Sequence, residues 1–388
     1  MRIAYVGPFS FPASQANSLR VRGMVEAITL AGHEVVVCPG IVSSEREAKL
    51  PNATRVEGVN EYARRSGLSK IRGARGIFIG DATIEWLYSQ EKKPDIVILY
   101  GTHLSYLLRL QKYAARTKVR LFLDVVEWYD PRHLPGGLFG PFSAMNEWSM
   151  RYAAKNVDGL FVISTYLDSH FSKAGCRTLR VPPLFLPNEI NHSKPFRDEN
   201  FSLNVCYVGT PGRKEEFSIL FSGLKMARDR GVKIYTHMVG LTEADFCRNY
   251  PAAVGRMQIS ESTKFYGQIP NQAAKEIISS CDFMVVARQI SRVTQAGFPS
   301  KVPESLSLGT PVIVNKFSDL GNYVREGNAG LTIDTLSAEG VCAAISAAAA
   351  MSKNELERLK ASARDIAEKE FSPLSHAKRI DQFLREPS

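Results

Sequence analysis

Apolar and polar residues follow an alternating plan along the chain. Short apolar runs, such as residues 3–6 and 34–38, are separated by longer stretches in which apolar residues recur every three or four positions, as in residues 17–30. That period is typical of a helix with one buried side. The run at residues 96–99 is apolar throughout, as expected for a strand of a parallel sheet covered on both faces. The plan predicts a βαβ series, and therefore a doubly wound α/β domain.

The series is interrupted once and then repeated. Pro182, Pro183 and Pro187 end regular structure, a polar stretch follows at 191–200, and the βα alternation resumes at residue 204. We therefore predict two α/β domains in tandem. The expected boundaries are 1–185 for the first domain, 186–200 for a hinge, 201–370 for the second domain and 371–388 for a C-terminal helix. A ligand should lie at the carboxyl ends of the strands, in a cleft between the domains.

Length and composition agree with this plan. The chain has 388 residues, which suits two domains, and 44% apolar with 23% charged residues is ordinary for a globular protein. The sequence contains no run of 18 uncharged apolar residues, so it predicts no membrane-spanning helix. The six cysteines form no C-x-x-C pair, which argues against a disulfide framework or a zinc site and favours a reducing cytoplasm.

Basic residues are concentrated in the first half of the chain. The net charge is +10, and residues 64–120 hold twelve Lys or Arg against four acids. Such a patch indicates an anionic partner, either a membrane surface, a phosphorylated substrate or nucleic acid. A solvated surface without a partner would have the same composition. Nucleic acid is disfavoured because no basic–aromatic motif accompanies the charge.

Two glycine-containing segments follow predicted strands. Residues 7–15 are expected to form a loop in which Gly7 lets the backbone approach a ligand, although the missing G-x-G-x-x-G pattern disfavours an NAD site. In the second domain Gly209, Gly212, Arg213 and Lys214 lie between a strand and a helix. Backbone N–H groups and two cations at such a place suit a diphosphate, although a surface turn would also carry these residues.

Residues 297–314 contain the most informative pattern. A Gly/Pro loop enters a helix near Ser300, Glu304 lies one turn later, and Gly309 ends the helix before a buried strand. A helix start offers unpaired N–H groups to an anion, and the Glu304 carboxylate can accept hydrogen bonds from sugar hydroxyls.

This segment resembles the donor-site signature P-S-K-x-x-E-x-x-A-x-G-x-P-V of the retaining GT-B glycosyltransferases of family four. Other parts of the chain resemble the same family in the same order. These are the G-H-E-V strand at 32–35, the donor-domain opening at 206–214, the F-x-G segment at 265–270, the strand at 281–285 and the final helix near 372–384. The resemblance covers nearly the whole chain.

The resemblance implies two Rossmann-like domains facing a central cleft. The N-terminal domain would bind the acceptor, the C-terminal domain would bind the nucleotide-sugar donor, and the C-terminal helix would pack back on the N-terminal domain. It implies a retaining transfer of sugar from a UDP- or GDP-sugar to a hydroxyl of a glycan or lipid-linked acceptor, in bacterial cell-surface polysaccharide synthesis. The protein would be cytoplasmic, with peripheral contact to the inner face of an anionic membrane through its basic half.

Donor-site roles follow from the resemblance position by position. Glu304 would bind the ribose, residues 298–301 the distal phosphate and sugar, and Lys214 with Arg213 the leaving diphosphate. The donor residues expected are Gly209, Thr210, Gly267, Gln268, Ile269, Phe298, Ser300, Lys301 and Glu304. Two positions depart from the family pattern: Ala296 stands where a first glutamate is usual, and Thr210 where a basic residue is usual. A UDP-sugar epimerase of the same fold and a non-catalytic nucleotide-binding partner of another transferase therefore stay open as alternatives.

Acceptor-side candidates lie in the first domain. Asp124 and Glu127 are expected to contact the acceptor hydroxyl, although Asp124 could instead cap the next segment. The acceptor-binding residues expected are Gly7, Arg20 and His103. No D-x-D motif is present, so we expect neither a metal nor another cofactor, with helix dipoles and cations in place of a divalent ion.

Overall fold

The computed structural model describes residues 1–13, 15–42, 54–61, 79–185, 200–210, 212, 214–251, 262–325 and 328–387. The chain divides into two compact units. The N-unit comprises 1–184, 296–298 and 373–388, and the C-unit comprises 185–295 and 299–372. The predicted hinge, apart from Asn200, lies outside the described residues, as do Arg213 and the basic residues between 62 and 78.

The described part of the N-unit contains one parallel sheet of seven strands. Its strands are β1 (Arg2–Phe11), β2 (Glu34–Val42), β3 (Thr54–Val56), β4 (Ile96–Tyr100), β5 (Arg120–Val125), β6 (Gly159–Val162) and β7 (Thr178–Arg180). They lie in the order β3-β2-β1-β4-β5-β6-β7. All pairs are parallel, so their carboxyl ends share one edge of the sheet. The helices that connect them in the described residues are α1 (Ala16–Leu30), α2 (Asp81–Ser89), α3 (Leu104–Thr117), α4 (Pro141–Arg151) and α5 (Thr165–Ser172).

The described part of the C-unit contains a second parallel sheet, of six strands. Its strands are β8 (Leu203–Val208), β9 (Ile234–Val239), β10 (Thr263–Gly267), β11 (Phe283–Val286), β12 (Val312–Asn315) and β13 (Gly330–Ile333), in the order β10-β9-β8-β11-β12-β13. The helices that follow are α6 (Phe217–Asp229), α7 (Glu243–Asn249), α8 (Asn271–Ser280), α9 (Arg292–Ala296), α10 (Lys301–Ser307), α11 (Leu320–Tyr323), α12 (Ala338–Ala350) and α13 (Lys353–Phe371). Ser352 and Glu355 form the capping box at the start of α13, as the sequence predicts.

The last helix, α14 (Pro373–Arg385), belongs to the N-unit. It packs on α1, and its residues Ile380 and Leu384 are fully buried in the same apolar cluster as the strand residue Ile3. The apolar stripe of α14 therefore completes the N-unit core, and burial of these side chains holds the helix on the N-unit.

The fold is α/β with two doubly wound parallel sheets, as the alternating pattern predicts. One local expectation is wrong: residues 7–11 are not loop, because β1 continues to Phe11. Its pairing with β2 shifts register after Gly7 and resumes at Ser10. Phe9 and Phe11 are buried, and this apolar burial outweighs the turn preference of the prolines beside them. Within the described residues, no helix is both long and apolar enough to cross a membrane.

Candidate functional site

Three glycines lie at the carboxyl edge of the C-unit sheet. Gly209, Gly240 and Gly267 follow or end the neighbouring strands β8, β9 and β10, with φ of 151°, 107° and 65°. The Gly209 N–H donates to the Val239 carbonyl at 3.0 Å, and the Gly240 N–H donates to the Gly267 carbonyl at 2.9 Å. A Cβ on Gly240 would lie 2.1 Å from the Gly209 carbonyl oxygen, so only glycine fits there. The edge is therefore made of closely apposed backbone.

Polar side chains border this glycine edge. Gln268 is exposed, and its Nε2 donates to the Gly240 carbonyl at 2.9 Å and to Thr210 Oγ1 at 3.3 Å. Thr210 is also exposed, and Ile269 beside Gln268 is half-buried. The structure thus brings together Gly209, Thr210, Gly267, Gln268 and Ile269, which the sequence assigns to the donor site. Gly240 is a member that sequence reasoning missed; a glycine directly after a predicted strand was its only signal.

Glu215 holds the loop that follows β8. Its carboxylate accepts from the Gly212 N–H at 2.7 Å and from Arg288 Nη2 at 2.8 Å, and the side chain is 5% exposed. Lys214, one residue earlier, is half-buried. Arg213 lies outside the described residues. Glu215 is a second residue that the sequence analysis missed, because its role depends on a partner 73 positions away.

Glu304 and Lys301 lie together on α10. The Lys301 ammonium pairs with the Glu304 carboxylate and donates to Asn271 Oδ1 at 3.2 Å. The two side chains are 24% and 12% exposed, so both reach the surface only in part. Ser300 precedes the helix, is half-buried and makes no side-chain cap. A carboxylate with one cation partner keeps lone pairs for sugar hydroxyls, because its two oxygens offer about four acceptor positions.

Two positions in the segment that leads to this helix are apolar and buried. Ala296 has no exposed surface and Phe298 is 9% exposed, and both are counted with the N-unit. The place of the usual first glutamate is therefore filled by a buried methyl group. Gly309, which ends the helix region with φ of 76°, lies against Arg364.

The carboxyl edge of the N-unit sheet has a different character. Asp124 at the end of β5 has no exposed surface, and Arg20 of α1 binds its two oxygens at 2.7 and 3.0 Å. The Tyr5 hydroxyl donates to the same carboxylate at 2.5 Å. Burial, and next the Asp124 charge, raise the pKa of Tyr5. The remaining Arg20 donor atom reaches the carbonyls of Val181 and Pro182 at 2.9 and 2.6 Å.

This network changes the interpretation of Asp124 and Arg20. Each satisfies the charge of the other in a buried place, where an unpaired charge would be costly. The geometry does not support the expected contact of either residue with an acceptor, and the carboxylate does not cap the segment after β5 either. Gly7 is likewise buried in β1, where a Cβ would meet Tyr100 at 3.0 Å.

Glu127 and His103 remain at the accessible part of the same edge. Glu127 follows β5 and is half-buried. His103 precedes α3, is half-buried, and its Nδ1 lies 3.4 Å from Ser105 Oγ. Their contact with an acceptor stays a prediction. Among the described residues, no group of three or more His, Cys, Asp or Glu side chains is arranged to hold a metal ion.

The fold is that of the GT-B glycosyltransferases. The chain is similar to a sucrose-phosphate synthase from Thermosynechococcus elongatus, with a TM-score of 0.74 and 15% identity over 99% of this chain and 98% of that one. It is also similar to the Anabaena protein HepE in complex with UDP and glucose, with a TM-score of 0.70, 13% identity and 99% of each chain covered. The trehalose-6-phosphate synthase OtsA gives a TM-score of 0.70 at 14% identity, with 100% of each chain covered.

Family matches to the sequence itself identify the class of enzyme. Residues 195–366 match the family described as glycosyl transferases group 1, and residues 18–185 match the glycosyl transferase 4-like domain. The chain belongs to the group 1 glycosyltransferases and is an enzyme of that class. Comparison with curated protein sequences gives no match. The resemblance seen in the sequence is confirmed, and the family favours sugar transfer over the epimerase and non-catalytic alternatives.

Proposed function

We propose that this glycosyltransferase uses a UDP-sugar and transfers the sugar with retention to a hydroxyl of a glycan or lipid-linked acceptor. The observation that carries the donor assignment is the glycine edge of the C-unit, bordered by Thr210 and Gln268. Without side chains at these positions a ligand can approach the backbone closely, and Thr210 and Gln268 offer polar groups beside it. One of the similar proteins, HepE, supports UDP over GDP, because its structures are described in complex with UDP and with UDP-glucose.

In this proposal catalysis stabilises the charge of the leaving diphosphate. Lys214 and Arg213 would neutralise it, Ser300 and Lys301 would hold the distal phosphate, and Glu304 would accept from the ribose hydroxyls. Fixed donors and cations of this kind lower the barrier because they are already oriented where charge develops. No divalent ion is included. Glu127 would position the acceptor hydroxyl, which converts a bimolecular step into one between bound groups.

The acceptor assignment rests on charge. A lipid-linked intermediate of bacterial surface polysaccharide would lie at the inner face of an anionic membrane. Each Lys or Arg close to such a surface contributes about 1 kcal/mol to the free energy of membrane binding. The basic composition of residues 64–120 supports this contact. Charge reversal within 64–75 that leaves vesicle binding unchanged would remove this support.

The donor assignment is tested by a thermal-shift screen against UDP, GDP, ADP and their sugar conjugates. A ligand at a hundredfold its dissociation constant adds about 2.7 kcal/mol, a large shift. We expect stabilisation by the uridine compounds, reduced in Glu304→Gln and retained in Glu357→Gln, an exposed glutamate on α13. Stabilisation by guanosine compounds instead would show that the donor carries guanine in place of uracil. Isomerisation of the bound donor without an acceptor would overturn the transfer reaction.

A further inference from the structure

The exposed side of α4 is apolar. Pro141, Ala144, Trp148 and Tyr152 recur three or four positions apart and all are exposed, Trp148 by 60% and Tyr152 by 62%. The Trp148 and Tyr152 rings contact each other with centroids 5.9 Å apart. A surface helix ordinarily turns charged and polar residues to water. This helix instead presents two neighbouring aromatic rings.

The turn before α4 also exposes apolar side chains. Leu138 and Phe139 lie in a 3-10 turn (Gly137–Phe139) and are 59% and 96% exposed. The turn is tightly folded: the buried Ser143 hydroxyl donates to the Gly137 carbonyl at 2.5 Å and to the Pro131 carbonyl at 3.2 Å. Fixed hydrogen bonds therefore display these two side chains on an ordered turn. We define Leu138, Phe139, Trp148 and Tyr152 as the aromatic ridge.

Cations lie beside the aromatic ridge. Arg132 and Arg151 are 75% and 51% exposed, and the Lys155 ammonium lies 6.0 Å from the centre of the Tyr152 ring. Between 131 and 155 the chain has these three cations and one acid, Glu147, which is paired with Arg151 at 2.9 Å. Asp130, just before this segment, is paired with Arg132 at 2.7 Å. With Asp130 counted, residues 130–155 hold three Lys or Arg and two acids, a net charge of +1.

We propose that the aromatic ridge enters the headgroup region of an anionic lipid bilayer, with the neighbouring cations on lipid phosphates. Trp and Tyr favour the interface between hydrocarbon and water, and helices with one apolar face lie in that plane. A protein partner would need a pocket for the almost fully exposed Phe139, whereas a bilayer surrounds a projecting apolar side chain wherever it enters. The inference deepens the membrane contact of the proposed function by naming the surface that makes it.

The test is binding of the full chain to vesicles of phosphatidylcholine, with and without phosphatidylglycerol. We expect binding that needs the anionic lipid and weakens about tenfold or more in the double variant Phe139→Ser, Trp148→Ser, because two apolar side chains lose their burial. Leu374→Ser is the matched control, because Leu374 is 71% exposed on α14 and is not part of the ridge. Phe139→Leu keeps an apolar side chain at this position and should bind like the wild type.

Tryptophan fluorescence locates the contact. The chain has three tryptophans. Trp128 is 3% exposed, and Trp86 is half-buried with its indole N–H on Glu57 at 2.9 Å, so a blue shift on adding vesicles should come mainly from Trp148. The shift should disappear in Trp148→Phe, which should still bind. If the double variant binds vesicles as well as the wild type does, the aromatic ridge is not the membrane contact, and another surface of the protein makes it. If the wild type forms a concentration-dependent dimer and the double variant does not, the aromatic ridge binds a second copy of the chain instead of a membrane. The uridine-dependent thermal shift should be unchanged in every ridge variant, so failure of the ridge and failure of the donor site are distinguishable.

Discussion

The two parallel sheets end in carboxyl edges of opposite construction. At the N-unit edge, Arg20, Asp124 and Tyr5 fill the space with a buried hydrogen-bonded ion pair. At the C-unit edge, Gly209 and Gly240 bring backbone against backbone and leave no side chain between them. The same topology therefore supports one edge that is closed by side chains and another that is formed by peptide groups.

This difference indicates how the two edges can be used. A buried ion pair fixes its surroundings, because moving either charge away from the other is costly. Arg20 extends this constraint to Val181 and Pro182, where the chain is about to leave the N-unit. Peptide groups at a glycine edge have no side chain that must be displaced, so a ligand can approach the backbone closely. The comparison predicts rigidity at the first edge and ligand contact at the second.

The largest expected effect is loss of the N-unit ion pair. Asp124→Ala leaves the Arg20 guanidinium buried without its counter-charge, and we expect a fall of about 3–5 kcal/mol in the free energy of unfolding. Scanning calorimetry measures it best, because a chain of two units can show two transitions. Only the transition of the N-unit should move.

Two further variants control this experiment. Asp130→Ala removes the pair with Arg132, which is 75% exposed, and the cap on the Arg132 N–H, and it should cost about 2 kcal/mol or less. The double variant Arg20→Met, Asp124→Leu removes both charges and should be more stable than Asp124→Ala. If Asp124→Ala costs no more than Asp130→Ala, the N-unit edge is not held by this pair.

The second prediction concerns the glycine edge. Gly240→Ala places a methyl group against the Gly209 carbonyl and should cost about 1–3 kcal/mol by overpacking. It should also abolish the uridine-dependent thermal shift, because the two backbones must separate. Gly231→Ala is the matched control, since Gly231 has φ of 91° but a Cβ there would meet nothing within 4 Å. Full nucleotide binding by Gly240→Ala would show that the ligand does not use this edge.

Much of the fold could be predicted from the sequence because its signals are local. Apolar runs, the Ser352 capping box and the Ser-Pro start of the last helix each depend on a few adjacent residues. The end of β1 was missed because burial of Phe9 and Phe11 depends on residues far along the chain, while the proline signal beside them is local. Tertiary burial overrode the local preference.

The residues of the candidate site also fall into two groups, those with a local sequence signal and those whose role depends on a distant partner. The resemblance assigns Gly209, Thr210, Gly267 and Gln268 to one site, and the structure places them together at neighbouring strand ends. Asp124 was assigned to an acceptor because a carboxylate after a strand is a frequent ligand, and its partner 104 positions earlier is not visible in the sequence. Whether a charged group is free or paired depends on long-range contacts, and short motifs do not encode them.

The smallest expected effect is a pH dependence of the N-unit. His33 is buried, with Nε2 2.9 Å from Asp381 Oδ1 of α14 and Nδ1 3.3 Å from the Met1 amine. Burial, and next the amine charge, lower the pKa of His33 below its usual 6.5, against the opposing pull of Asp381. The unfolded chain therefore binds the proton first as the pH falls, and stability is lost from about pH 6.5 downward.

Replacing the imidazole should reduce this loss. Between about pH 7 and about pH 5, the midpoint of the N-unit transition should fall further in the wild type than in His33→Asn, because the variant has no proton to bind there. Other titrating groups cancel in the difference between the two proteins. A wild-type midpoint that falls in parallel with the variant would show that His33 titrates alike in the folded and unfolded chains. A smaller fall in the wild type would show that Asp381 raises the pKa of His33 in the folded N-unit, so that the ion pair to α14 outweighs burial.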